Sequence, residues 1–147
     1  MKKVIFLSLV IALLINSCTQ KEVKSSYEGA WKVVSWIAME GDSLTWTFPG
    51  DYSGNEISIN AKNHFLWAGR YKKDTTFVDN WGGGTYKLNG NRLEHTFLYC
   101  VDQSMVGTTR RLLWELNNDT ASYTWPCDEN WQVNKEKYYV QKLVKAE

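Results

Sequence analysis

From Gly29 to Val144 the chain alternates apolar and polar residues, and many of the apolar ones are aromatic or β-branched. Gly, Asn and Asp interrupt this alternation roughly every 8 to 12 residues. A period of two is typical of β-strands, and no segment sustains the period of about 3.6 residues that a helix requires. The sequence therefore predicts an all-β domain.

The interruptions divide the alternating region into eight predicted strands. Their approximate bounds are residues 30–38, 55–60, 64–71, 85–88, 92–100, 108–116, 120–126 and 137–144. Three of the connections are tight turns rich in Asn, Asp and Gly, which tolerate the positive φ of hairpin turns. These turns lie at residues 60–63, 89–91 and 117–119.

The other four connections are longer, and they cover residues 39–54, 72–84, 101–107 and 127–136. Short and long connections alternate strictly, so an up-and-down meander would place every tight turn at one end and every long loop at the other. Eight such strands closed into a barrel leave room for one small ligand. We predict an eight-stranded antiparallel up-and-down β-barrel; a β-sandwich would explain the strands but not the alternation of connections.

The turn sequences also predict which side chains point inward. A two-residue turn at Gly90-Asn91 pairs Leu88 with Leu93 and avoids placing Lys87 opposite Arg92. A second hairpin, turning at Asn118-Asp119, pairs Trp114 with Tyr123. The resulting inner face is rich in aromatic residues that combine an apolar body with a hydrogen-bonding tip. The candidate ligand-binding residues are Phe65, Trp67, Tyr86, His95, Phe97, Tyr99, Arg110, Trp114, Tyr123 and Trp125.

Arg110 is the charged member of this set. An unpaired guanidinium is costly to bury, and the nearby Glu94 and Glu115 are predicted to face outward. Arg110 therefore indicates an anionic group on the incoming ligand, with Tyr99 and Tyr123 as neighbouring donors. A local bulge would instead turn Arg111 inward, or leave both arginines solvated.

The net charge of the chain limits the classes of partner that we expect. The chain has 17 Lys plus Arg against 16 Asp plus Glu, which gives a net charge of +1. Nucleic acid and acidic polymers call for a basic surface, so we expect neither as a partner.

The N-terminus carries a targeting signal. Lys2 and Lys3 precede an apolar run over residues 4–15, which is too short to span a bilayer as a helix but suits a signal peptide. Residues 14–18, Leu-Ile-Asn-Ser-Cys, resemble a bacterial lipobox. The resemblance implies a signal peptide over residues 1–17, and a lipidated Cys18, carrying acyl chains such as palmitate, on a polar tether over residues 18–28. An ordinary secretory signal with an incidental cysteine is the alternative.

The lipobox resemblance also implies a location. The chain would be an envelope lipoprotein that touches the membrane through its lipid anchor only. Thr19 follows the cysteine, where Asp would suggest inner-membrane retention, so the outer membrane is favoured.

Gly29-Ala30-Trp31 opens the first predicted strand and resembles the Gly-x-Trp signature of lipocalins. The resemblance covers roughly residues 27–144, implies a lipocalin-like domain at residues 29–147, and implies that Trp31 closes the base of the barrel. It also implies a basic residue across the Trp31 ring, for which Lys142 and Lys145 are candidates. This resemblance is to the small lipocalin-like domains of bacterial lipoproteins.

The remaining cysteines and histidines suggest little chemistry. Cys100 and Cys127 are candidates for a disulfide in an exported protein, provided both lie in loops beyond the sixth strand, and otherwise they are free thiols. His64 and His95 have no partners at metal-ligand spacing, so no metal or cofactor is expected. No catalytic motif is present.

We therefore expect a non-catalytic barrel that binds a small, partly apolar ligand, for which Arg110 indicates an anionic group. Two alternatives remain. One is a haem carrier or haem enzyme that uses His95 as the iron ligand. The other is a packed barrel that contacts glycans or partners through Trp46, Trp81 and Trp131 in loops at its rim.

Overall fold

The computed structural model describes residues 27–146. They form nine β-strands and one short 3₁₀ turn at Gln103–Met105. The strands are β1 Gly29–Glu40, β2 Ser43–Phe48, β3 Ser53–Ala61, β4 His64–Lys73, β5 Thr76–Asn89, β6 Arg92–Cys100, β7 Thr109–Asn117, β8 Thr120–Trp125 and β9 Lys137–Lys145.

Eight of these strands close into an antiparallel barrel. Strands β3 to β9 pair in sequence order, and β9 returns to pair with β1. The second edge of β1 is divided: residues 29–32 pair with β3, whereas residues 36–40 pair with β2. The predicted eight-stranded up-and-down barrel is confirmed, and β2 is a ninth strand added at the mouth.

The three tight turns predicted from the sequence lie together at one end, which we call the base. The hairpin at Gly90-Asn91 pairs Leu88 with Leu93, as predicted. The hairpin at Asn118-Asp119 pairs Trp114 with Tyr123. Lys62 and Asn118 adopt positive φ in their turns, which is the conformation that tight hairpins require.

The mouth is more regular than predicted. The segment 39–54 contains β2, and the segment 72–84 contains the first half of β5, which extends to a two-residue turn at Asp74-Thr75. Both segments were predicted as loops, and that prediction is wrong because charged and polar residues hid the alternation. Only the connections after β6 and β8 remain long.

A bulge interrupts the pairing of β5 with β6. Gly84 lies opposite Phe97, and Gly83 lies opposite Tyr99, so Leu98 is an extra residue on β6. A Cβ atom on Gly84 would collide with the backbone of Thr96, which explains a residue without a side chain at this close approach. The extra residue reverses the alternation beyond it: Cys100 is buried and Tyr99 is exposed.

Tightly packed rings fill the base of the barrel. Tyr27, two residues before the start of β1, is fully buried, although it was predicted to belong to the tether. Its carbonyl oxygen accepts hydrogen bonds from the Trp31 indole and the Asn60 side chain. Trp31 is fully buried, and the Lys145 ammonium lies 3.8 Å from its ring centroid. Lys145, and not Lys142, is thus the basic residue across the Trp31 ring.

The signal peptide, Cys18 and most of the tether lie outside the described residues. Within residues 27–146, the structure contains no helix with the length and apolar character needed to cross a bilayer.

Candidate functional site

A cavity of about 390 Å³ lies between the packed base and the 3₁₀ turn of the connection after β6. Its volume lies within the range of small-molecule sites. Seven of the ten predicted ligand-binding residues line it: Phe65, Trp67, His95, Phe97, Arg110, Tyr123 and Trp125. The alternation of β4, β6, β7 and β8 therefore predicted much of this wall.

Three of the predicted residues lie elsewhere. Tyr86 and Trp114 point inward, but they pack against Tyr27 in the base, with ring centroids 4.6 and 5.0 Å away. Tyr99 does not point inward: it is half exposed and its ring packs over Gly83 on the outer wall. The prediction for Tyr99 failed because the extra residue Leu98 reverses the faces of β6.

Arg110 projects into the cavity. Its guanidinium lies 5.2 Å from the Phe97 ring centroid and 5.9 Å from that of Trp125, and it contacts the Met105 sulfur at 3.2 Å. Burial lowers the pKa of Arg110. No carboxylate within residues 27–146 forms an ion pair with it. The charge of Asp102, an exposed residue that also lines the cavity, acts on Arg110 without such a contact and partly opposes the lowering of its pKa.

Arg111 provides the contrast. Its side chain is on the outer wall, where Nε donates to Glu94 Oε1 at 3.4 Å. The inward prediction for Arg110 is therefore correct, as is the outward prediction for Glu94. The guanidinium of Arg110 meets aromatic faces in the interior, where cation–π attraction offsets part of its desolvation.

The buried carboxyl group of Glu56 also lines the cavity, although Glu56 is not among the site residues predicted from the sequence. Oε2 accepts hydrogen bonds from the Tyr71 hydroxyl and the Asn80 amide, and Oε1 accepts one from Gln141 Nε2 at 3.1 Å. Burial raises the pKa of Glu56 to about 7, although the three donors act in the opposite direction.

The position of Glu56 follows from an inverted pattern in β3. Glu56, Ser58 and Asn60 are buried, whereas Ile59 on the opposite face is 43% exposed. Hydrophobicity alone would turn the isoleucines inward. The available signal was the spacing of three polar residues at every second position, which is a polar face on a strand.

Trp36 contributes a second polar feature. Its indole N–H is shielded from solvent and has no acceptor among the described residues. Trp36 also separates the main cavity from a neighbouring one of about 260 Å³, whose wall includes Phe48, Tyr52 and Tyr71. A buried donor without an acceptor is costly, so a ligand acceptor at Trp36 would be favourable.

The ring of His95 is fixed by a hydrogen bond and by aromatic stacking. Its Nε2 lies 2.7 Å from the Tyr27 hydroxyl, and its ring stacks on Phe65 with centroids 3.8 Å apart. Burial, aided by the Arg110 charge, lowers the pKa of His95 to about 3, so the ring is neutral at ordinary pH. A haem iron would have to displace Tyr27 to bind Nε2.

The structure holds Cys100 and Cys127 as free thiols, so the candidate disulfide is not formed. The bulge turns Cys100 into the cavity wall. Cys127 instead continues past β8, where its thiol contacts the Thr124 carbonyl oxygen at 3.8 Å and its backbone pairs with Val133. The two side chains belong to different walls.

The three tryptophans that were predicted at the rim do not form one surface. Trp46 lies in β2 and packs inward against Trp36, with ring centroids 5.2 Å apart. Trp81 lies in β5 and is 43% exposed. Trp131 packs against the Arg92 guanidinium, at the base end of β6. The prediction of a tryptophan-rich rim is wrong.

The described part of the chain is thus a closed antiparallel barrel with one end packed and a polar-aromatic cavity toward the other, an architecture compatible with a lipocalin-like fold. No group of three His, Cys, Asp or Glu side chains within residues 27–146 is arranged to hold a metal ion. No family model matches the chain, and no curated protein matches it.

Proposed function

We propose that this protein is an envelope lipoprotein whose lipocalin-like barrel binds a small, partly apolar, anionic molecule without catalysis. The observation that carries the proposal is Arg110, a mostly buried cation in an aromatic cavity that forms no ion pair with a carboxylate of the described residues. Burying such a cation costs several kcal/mol, and an incoming anion would offset that cost.

The contact of Lys145 with Trp31 supports the lipocalin-like part of the proposal. A buried Trp near the start of the first strand, with a cation from the last strand across its ring, is the arrangement that the Gly-x-Trp resemblance implied. The packed base beneath the cavity makes the mouth the entrance for a ligand.

The proposal is tested by replacing Arg110 and measuring the affinity for N-acetyl-alanyl-phenylalanine, a small aromatic monocarboxylate, by calorimetry. We expect Arg110→Ala to weaken binding by about 1.5 to 3 kcal/mol, because a hydrogen bond to a charged group is lost. Arg111→Ala is the matched control, and it should bind as the native protein does. Equal affinities for both variants would contradict the role of Arg110.

The anchor is tested separately. We expect native cells to incorporate radiolabelled palmitate into this chain, since the lipobox-like sequence ends at Cys18, and Cys18→Ser to abolish incorporation. Labelling of the Cys18→Ser variant at the native level would contradict the lipoprotein assignment and leave the cavity proposal unaffected.

A further inference from the structure

The cavity wall carries the buried carboxyl group of Glu56 and the partly buried guanidinium of Arg110, which do not form an ion pair with each other. Glu56 lies on β3 and Arg110 lies on β7, and both line the same cavity. Three strands separate β3 from β7 in either direction around the barrel. The carboxyl group and the guanidinium therefore project from opposite walls.

We propose that the ligand is a zwitterion that spans the cavity, with its anionic group at Arg110 and an ammonium group at Glu56. This inference rests on the proposed binding function and names the ligand class that the site would accept. The ammonium would give Glu56 an ion-pair partner that the described residues do not provide. The anionic group would give Arg110 a direct ion pair, whereas the charge of Asp102 acts on it without one.

Glu56 has room for such a group. A carboxylate offers about four lone-pair positions, and three of them are used by Tyr71, Asn80 and Gln141. All three partners are uncharged donors, so they orient the carboxylate without neutralising it. The remaining position is on Oε1, which accepts only from Gln141 within the described residues. An ammonium donor would complete the set.

The other groups around Glu56 do not supply a cation. Tyr71 on β4 is hydrogen-bonded to Glu56, and burial raises the pKa of its hydroxyl. Burial raises the pKa of Tyr123 on β8 to about 12, and His95 on β6 is neutral. Asn80 on β5 and Gln141 on β9 do not titrate. Among the residues that the structure describes, Arg110 is the one cationic side chain in the cavity wall, and it lies on the far side from Glu56.

The space between the two charged groups is suited to an apolar body. Trp36, Phe97 and Trp125 contribute ring surfaces to the cavity. The unpaired Trp36 N–H adds a donor that a carbonyl group in the ligand backbone would satisfy. A short peptide with one aromatic side chain combines these elements at a size consistent with about 390 Å³.

The test uses three compounds that share one body. Alanyl-phenylalanine carries both charges, its N-acetyl form lacks the ammonium, and its amide form lacks the carboxylate. Their affinities are measured by calorimetry at pH 7.5 on the full-length protein in mild detergent. The variants are Glu56→Gln and Arg110→Gln, with Glu94→Gln on the outer wall as the matched control.

We expect the native protein to bind the zwitterion at least about 10-fold more tightly than either derivative, because each charged contact contributes about that much. Glu56→Gln should remove the advantage over the N-acetyl form only, and Arg110→Gln should remove the advantage over the amide only. Glu94→Gln should change neither ratio. These paired losses would assign each end of the ligand to its wall.

Two results would overturn the inference. If the N-acetyl form binds as tightly as the zwitterion and depends on Arg110 alone, Glu56 does not bind an ammonium, and the proposed anion-binding function stands. If none of the three compounds binds at concentrations up to about 1 mM, both the zwitterion inference and the proposed function are contradicted for this class of ligand.

Discussion

The base and the mouth of the barrel are lined by the same kinds of ring, yet one is filled and the other is hollow. In the base, Tyr27 lies among Tyr86, Trp114 and Tyr123 with centroid distances of 4.6 to 6.3 Å. In the mouth half, Trp36, Phe97 and Trp125 surround a cavity of about 390 Å³. Both halves follow the same strand alternation, so alternation alone does not decide whether a barrel is packed.

Two features account for the difference. The segment before β1 inserts Tyr27 into the base, where it fills the interior and donates or accepts hydrogen bonds with His95 and Tyr123. The mouth half instead carries the ionisable residues Glu56 and Arg110, whose desolvation opposes collapse onto dry side chains. The base is thus filled by a residue of the chain itself. The mouth half keeps a cavity lined by ionisable side chains that can bind a polar ligand.

The largest expected effect is a loss of stability on opening a void in the packed base. Trp114→Ala should lower the free energy of unfolding by about 3 to 5 kcal/mol, because it opens a void among packed rings. Trp36→Ala, which borders the existing cavity and loses no hydrogen bond, should cost only about 1 to 2 kcal/mol. Urea unfolding followed by circular dichroism measures the free energy of unfolding of both variants. Equal losses of free energy would contradict the conclusion that the base is packed and the mouth half is hollow.

The second effect is a pH dependence that originates in the mouth half. The pKa of Glu56 is raised from 4.5 to about 7 by burial, so the folded protein holds this proton more tightly than the unfolded chain. Its contribution to stability is complete below pH 4.5 and declines as pH rises to about 7. The loss should approach about 3 kcal/mol.

Glu56→Gln should remove this decline, because an amide does not titrate. Urea unfolding at intervals between pH 5 and pH 8 measures the slopes, with Glu94→Gln as the control. A native protein whose stability is constant across this window, or a Glu56→Gln variant with the native slope, would show that the carboxyl group is not buried as described.

The smallest expected effect concerns the closure of the base. Lys145→Met removes the ammonium over Trp31 and its hydrogen bond to the Glu28 carbonyl oxygen, and should cost about 0.5 to 1 kcal/mol. Lys142→Met, on the same strand and exposed, should leave the midpoint of urea unfolding unchanged. Urea unfolding followed by circular dichroism measures both variants. If both variants behave alike, the ring contact contributes nothing beyond an ordinary surface lysine.

The strand alternation and turn residues were sufficient to predict the barrel, the pairing of Leu88 with Leu93 and the inward position of Arg110. They did not predict β2, since Leu44, Trp46 and Phe48 alternate within a segment that polar residues make resemble a loop. Glu56 was missed because β3 buries its polar face, which hydrophobic patterning cannot anticipate. Tyr99 was misplaced because a bulge depends on a non-local fit between Gly84 and the neighbouring strand.

The bulge at Leu98 decides which side chains of β6 line the cavity. With Leu98 as the extra residue of the bulge, the thiol of Cys100 borders the interior and the phenol of Tyr99 faces solvent. If Leu98 instead kept the regular alternation of β6, Tyr99 and Cys100 would exchange sides without any substitution, since a strand has only two sides. In such a barrel, the gain or loss of one bulge can change the character of a binding chamber as much as a point mutation within it.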